Sequence, residues 1–226
     1  MTFALPTKVV TIPQPFLIAC EGHSDLRLID ELLQHRNISN CSVGCPSRDF
    51  APDLSSYLKA LKGIIDIQGL SLRGVLIVVD ADDSRTEAFA DACSALTSSD
   101  FIAPSRPFSI EGTALKTAVY VMPGEGRDGT LEHLLLEATY QQRPDLERCA
   151  DEFITCVGSS LGPESPPYTG NQHAKMRLSS LVGASCRHNP WASAAMIWNE
   201  DDNPVPIDGP SFDHLASFLL RFSEIQ

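Results

Sequence analysis

The sequence predicts an α/β fold, a mainly parallel sheet flanked by helices. Three observations predict it. Short apolar runs alternate with stretches of helical period along most of the chain. The clearest run, Gly74-Val-Leu-Ile-Val-Val79, is continuous and rich in β-branched residues, as a strand covered on both faces requires. Acidic residues follow three of the apolar runs directly or open the helix after them, which is where ligands meet an open parallel sheet.

The elements follow in order. Residues 1–14, with Pro6 and Pro13, read as an irregular lead-in. Pro15-Phe-Leu-Ile-Ala-Cys20 is short and apolar, a buried strand. Ser24 is the natural N-cap of the next helix, whose Leu26, Ile29 and Leu33 share a face with Leu32 alongside. Residues 40–45 read as a second strand. Leu54 to Ile67 reads as a helix through Leu54, Leu58, Leu61 and Ile65. The Gly74–Val79 strand ends in Asp80, and Ser84 to Thr97 reads as a helix. A strand over 117–122, a helix from Gly129 to Gln142 and a helix from Pro144 toward residue 160 follow.

These elements make a core over residues 15–161. Residues 162–170, Gly-Pro-Glu-Ser-Pro-Pro-Tyr-Thr-Gly, are rich in breakers and read as a linker. Residues 171–226 read as a C-terminal α/β extension packing on that core. It has a helix near 171–184, a strand-like stretch at 192–198, a polar loop at 199–210 and a closing helix through Phe212, Leu215, Leu219 and Phe222.

Composition limits the function classes. With 43% apolar and 20% charged residues, the chain is globular in character. No run approaches the roughly eighteen apolar residues of a membrane span. The start, Met-Thr-Phe-Ala-Leu-Pro-Thr-Lys, has no apolar run behind a basic segment, so a cytoplasmic protein is expected. The seven cysteines form no C-x-x-C pair and read as free thiols of a reducing compartment. With a net charge of −12, only five lysines and no basic run, the sequence lacks the basic stripe that a protein gripping nucleic acid alone usually carries. Either the acidity serves a metal site and solvated faces, or a basic partner delivers the substrate.

The chemistry lies in the acids. Glu21 and Asp25 stand in Cys20-Glu-Gly-His-Ser-Asp25 after the first strand, Asp80 and Asp82 in Asp80-Ala-Asp82 after the strongest one, and Glu132 in Gly129-Thr-Leu-Glu132 after a later one. On a parallel sheet these strand ends converge on one crevice. Carboxylates gathered there repel unless a cation neutralises them or protons bind. An all-oxygen set suits Mg²⁺ or Mn²⁺, the ions of phosphoryl chemistry. Singly, each acid has an ordinary structural reason, since Asp favours turns and helix caps and Glu the first helical turn.

The pattern strand–Glu-Gly-x-x-Asp–helix, followed by apolar strand–Asp-x-Asp, resembles the Toprim domain of topoisomerases, bacterial primases, small ribonucleases and OLD-family nucleases. The chain is most similar to small stand-alone proteins related to the OLD-type Toprim. Met122-Pro123 and Gly129-Thr-Leu-Glu132 match a strand-end and Gly-x-Leu-Glu segment of that group, and Lys175 in Gln-His-Ala-Lys-Met-Arg-Leu matches the lysine of its later helix. The resemblance implies a four-stranded, mostly parallel sheet, Mg²⁺ or Mn²⁺ on Glu21, Asp25, Asp80, Asp82 and Glu132, and catalytic roles for Glu21 and Lys175. It implies cleavage of phosphodiester bonds in DNA or RNA, with an ATPase or basic protein as partner. The sequence departs from the pattern at His23, where a basic residue is usual, and it has no G-x-x-x-x-G-K-[ST].

Other readings compete. Gly124-Glu-Gly126-Arg-Asp-Gly129 matches the dinucleotide fingerprint, but late in the chain and behind Pro123. Asp80-Ala-Asp82 resembles the acids of haloacid-dehalogenase-type phosphatases, although a Glu-bearing β-α unit precedes it. The histidines form no H-E-x-x-H pair. A non-catalytic, metal-binding regulatory subunit is the third alternative.

Overall fold

The computed structural model describes residues 14–47, 51–69, 71–161 and 169–225. The expected lead-in therefore lies, except for Gln14, outside the described residues. So does the expected linker, except for Thr169 and Gly170.

The fold is α/β, with a mostly parallel five-stranded sheet between two layers of helices. The order is β1 (Phe16–Cys20), α1 (His23–His35), β2 (Cys41–Gly44), α2 (Leu54–Gln68), β3 (Gly74–Asp80), α3 (Arg85–Thr97), β4 (Ile110–Glu111), β5 (Lys116–Met122), α4 (Leu131–Gln142), α5 (Pro144–Leu161), α6 (Gly170–Ser185) and α7 (Asp213–Ser223). The sheet runs β2-β1-β3-β5-β4. Its first four members pair in parallel, and β4 lies antiparallel on β5.

Strand parity builds both cores. Ile18, Cys20, Leu76, Val78, Tyr120 and Met122 face one layer, where α1, α4, α6 and α7 cover them. Leu17, Ala19, Ile77, Val79, Val119 and Val121 face the other, covered by α2 and α3. This period of two on strands buried from both sides explains why they read as unbroken apolar runs. Because β1 has β2 on one side and β3 on the other, the chain reverses its winding between β1 and β3. Ligands of open α/β sheets bind outside the strand ends at such a switch point.

The C-terminal residues differ from expectation in one respect. Residues 192–198 form turns and a short 3-10 helix, Ile197–Asn199, and no strand occurs between α6 and α7. Asn189-Pro190 and the polar residues after Trp198 break the run before it reaches a sheet edge. The closing helix packs on the sheet itself. Leu215, Phe218, Leu219 and Phe222 are buried, and the Phe222 ring meets Phe16 edge-on at 5.3 Å. Such burial contributes about 1.5–3 kcal/mol per side chain, more than the surface pair Arg36–Asp213 can add. Gly74 makes room for it, since a Cβ there would stand 2.8 Å from the Phe222 ring.

Two-residue β4 is the element that sequence patterning misses. Its pairing register, Ile110↔Ala118 and Glu111↔Thr117, gives too short a run for any period to emerge. Among the described residues no helix is long and apolar enough to cross a membrane.

Candidate functional site

The acid-bearing strand ends lie side by side. Cys20 pairs with Val78 and Asp80 with Met122, so Glu21, Asp80 and the loop leading to α4 leave the sheet at one edge. Asp80 has the parity of Leu76 and Val78, which directs it toward the layer of α1 and α4. Those two helices start beside it and bring Asp25 and Glu132.

Each carboxylate is held by a specific donor. Asp25, buried at 6% exposure, accepts the Gly22 N–H at 2.9 Å through Oδ2. Gly22 is therefore the N-cap of α1, and the expected cap, Ser24, is its second helical residue. Asp25 at the third position closes the turn from inside the helix, so a hydroxyl cap is not required. Asp80 accepts the Leu131 N–H at 2.8 Å through Oδ1, and its own N–H points at Glu21 Oε2 at 3.4 Å. Glu132 accepts from Thr130 Oγ1 at 2.7 Å.

Electrostatics show that these acids share one environment. Burial pushes the Asp25 carboxyl up to about 7, with the charges of Glu21 and Glu132 adding to it. The Gly22 N–H and the Lys175 ammonium pull the other way. Asp80 is pushed further, to about 9, by burial and then by Asp25, Glu132 and Glu21, against the Leu131 N–H. Glu21, Asp25, Asp80 and Glu132 thus form one mutually repelling group drawn from three strand ends.

Asp82 stands on its outer rim. It is exposed, and its φ of 49° places it in the left-handed region that Asp tolerates better than most residues. Its backbone exchanges two hydrogen bonds with Gly129, each 2.8 Å, which stitch the Asp-x-Asp turn to the loop before α4. Lys175 is exposed on α6, and its charge reaches Asp25. His23 is exposed at the start of α1.

The glycine-rich loop supports the site. Gly124, Gly126 and Gly129 all have positive φ. A Cβ on Gly129 would stand 2.9 Å from His133 Nδ1, and the bare glycine lets that nitrogen reach the Thr130 N–H at 3.0 Å. Asp128 accepts the Arg85 N–H at 2.8 Å, and Arg127 pairs with Glu137 at 2.7 Å. A cleft of about 550 Å³ beside α2 and α3 is lined by Glu21, Asp80 and Asp82 together with Asp53 and Asp91.

The donor set of the acid group is all oxygen, which fits a hard divalent cation. Among the described residues no group of three His, Cys, Asp or Glu side chains is spaced to hold an ion as it stands. Asp25, Asp80 and Glu132 are turned onto backbone and hydroxyl donors, while the Asp82 carboxylate meets the Asn171 side chain.

Sequence reasoning missed Asn171, which touches Asp82 and Asp83 from α6. It also missed Thr130, the N-cap of α4. Thr before Leu-Glu carries a recognisable cap signal. No local signal marks Asn171, because its contacts lie 89 and 88 residues away.

The family described as a protein of unknown function (DUF3226) matches residues 15–203, from the foot of β1 past the end of α6. The chain belongs to this DUF3226 family. The match contains Glu21, Asp25, Asp80, Asp82, Glu132, Asn171 and Lys175, so the DUF3226 region carries the whole acid group and the helix beside it. No curated protein and no solved structure matches the chain.

Proposed function

We propose that this protein is a Toprim-type nuclease that cleaves phosphodiester bonds in DNA or RNA with Mg²⁺ or Mn²⁺. The observation that carries the reading is the convergence of Glu21, Asp25, Asp80 and Glu132 at the switch point of a parallel sheet, where burial and mutual charge raise Asp25 and Asp80 far above ordinary carboxyls. Four acids in such a place create a demand for positive charge.

Asp80 and Asp82 hold the ion in this proposal, and Glu21 either completes its coordination or takes the proton from the attacking water. Asp25 and Glu132 support a second ion. When bound, the metal supplies Lewis-acid charge at the scissile phosphate. Lys175, already close enough for its charge to act on Asp25, faces the phosphate from α6 and offsets charge that develops there. A net charge of −12 makes a bare polyanion a poor encounter partner, so a basic protein or an ATPase delivers the substrate. All seven cysteines are unpaired, which suits the cytoplasm.

The test is Mn²⁺-stimulated nicking of plasmid and single-stranded nucleic acid. Glu21→Gln and Asp80→Asn should abolish it while the circular-dichroism spectrum stays native. Equal activity in the native protein and Glu21→Gln would remove the nuclease assignment. Ion binding without cleavage of any nucleic acid would instead assign a non-catalytic regulatory subunit. A phosphate ester trapped on Asp80 would assign a haloacid-dehalogenase-like phosphatase.

A further inference from the structure

Asn171 occupies the first turn of the sixteen-residue helix α6. Its Nδ2 donates to Asp82 Oδ1 at 3.4 Å and to Asp83 Oδ1 at 3.3 Å. Both neighbours are carboxylates, so the nitrogen end of the amide has to face them. One NH₂ group has two protons, one for each acid. Thr169 caps the same turn, and its hydroxyl accepts the Gln172 N–H at 3.3 Å. The first turn of α6 therefore carries its own cap, and the Asn171 side chain meets two adjacent acids from it.

The position of the contact matters more than its strength. Asp82 belongs to a turn already stitched to Gly129, so Asn171 joins α6 to a rigid part of the site. Lys175 lies four residues on, one turn along the same face of the helix. Ala174 and Leu178, beside that face, are buried against the core. One helix face thus touches the outer rim of the acid group through Asn171 and acts on its interior through Lys175.

We propose that Asn171 is a positioning residue that couples divalent-ion binding at the acid group to the seating of α6. This rests on the reading of that group as an ion site. Asn171 holds the Asp82 carboxylate in one orientation, so an ion that needs Asp82 meets a ligand with less rotamer freedom to lose. The coupling is reciprocal: an ion that fixes Asp82 also tightens the hold on α6 and Lys175.

The experiment measures Mn²⁺ affinity by titration calorimetry on the full chain, alongside hydrogen exchange of the α6 amides. Asn171→Ala should weaken Mn²⁺ binding about fivefold or more, the lower range of such couplings. Added Mn²⁺ should slow exchange in the first turn of α6 in the native protein and leave it unchanged in Asn171→Ala. Asn171→Ser, which keeps a donor, should recover part of the affinity. A purely structural asparagine would change neither the Mn²⁺ constant nor the ion's effect on exchange. Native-like affinity in Asn171→Ala overturns the coupling alone. A native protein that binds no Mn²⁺ overturns the ion reading and the coupling with it.

Discussion

Asp80 Oδ1 accepts the backbone N–H of Leu131 at 2.8 Å, so the acid that ends β3 also satisfies the first turn of α4, 51 residues downstream. The two roles of this side chain can be separated. Asparagine keeps an acceptor for Leu131 and removes a charge from among Asp25, Glu132 and Glu21. Without added metal above pH 9, where the Asp80 carboxyl carries its charge, Asp80→Asn should melt at or above the native temperature. Asp80→Ala loses the acceptor and should be less stable than Asp80→Asn by about 1 kcal/mol. Thermal or urea unfolding of both variants measures the difference.

The raised acids set a pH dependence. The folded-state values, about 7 for Asp25 and about 9 for Asp80, lie above the ordinary 3.8, so the folded chain holds protons that the unfolded chain releases. Their contribution to stability is full below about pH 4 and is lost as pH rises through 7 toward 9. Calorimetric melting at pH 5, 7 and 9 without divalent ions should show this fall, and Asp25→Asn/Asp80→Asn should flatten it. If these acids form the proposed ion site, Mg²⁺ or Mn²⁺ should raise the melting temperature most at the alkaline end, because ion and proton would then compete for the same carboxylates. Asp80→Ala/Asp82→Ala should lose that rise, and zinc should not be required. An identical pH slope in native protein and double asparagine variant would assign the dependence to other groups.

Lys175 separates binding from turnover. Its ammonium is exposed and opposes the upward shift of Asp25. Removing it leaves the core untouched, so Lys175→Ala should fold and melt like the native protein. Under the proposed nuclease function, turnover should fall about tenfold or more, equivalent to roughly 1.4 kcal/mol of transition-state contact. Native turnover in Lys175→Ala would make it an ordinary surface lysine.

The sequence was most legible where one local pattern decides the structure. β1, β3 and β5 are buried on both faces, and their unbroken apolar runs announce it. The ends of those strands are also where Glu21 and Asp80 lie, so the convergence of the acids followed from topology. The closing helix was legible because Leu215, Leu219 and Phe222 keep helical spacing. Features set by distant partners were not. Ser24 reads as the natural cap until Asp25 is seen to accept from Gly22. Residues 192–198 are apolar enough for a strand but find no sheet edge to pair with. Asn171 reads as an ordinary helix-start residue until the fold brings Asp82 and Asp83 to it.

The paired backbone hydrogen bonds between Asp82 and Gly129 have a consequence for how this crevice can change over generations. They join two loops through main-chain atoms, which every residue other than proline supplies. This link between the two loops therefore does not depend on the carboxylates beside it. Descendants that exchange Asp82 or Glu132 for other side chains keep the link and the crevice it frames, around a different occupant. Gly129 is the exception, because its φ of 128° and the imidazole of His133 leave no room for a side chain.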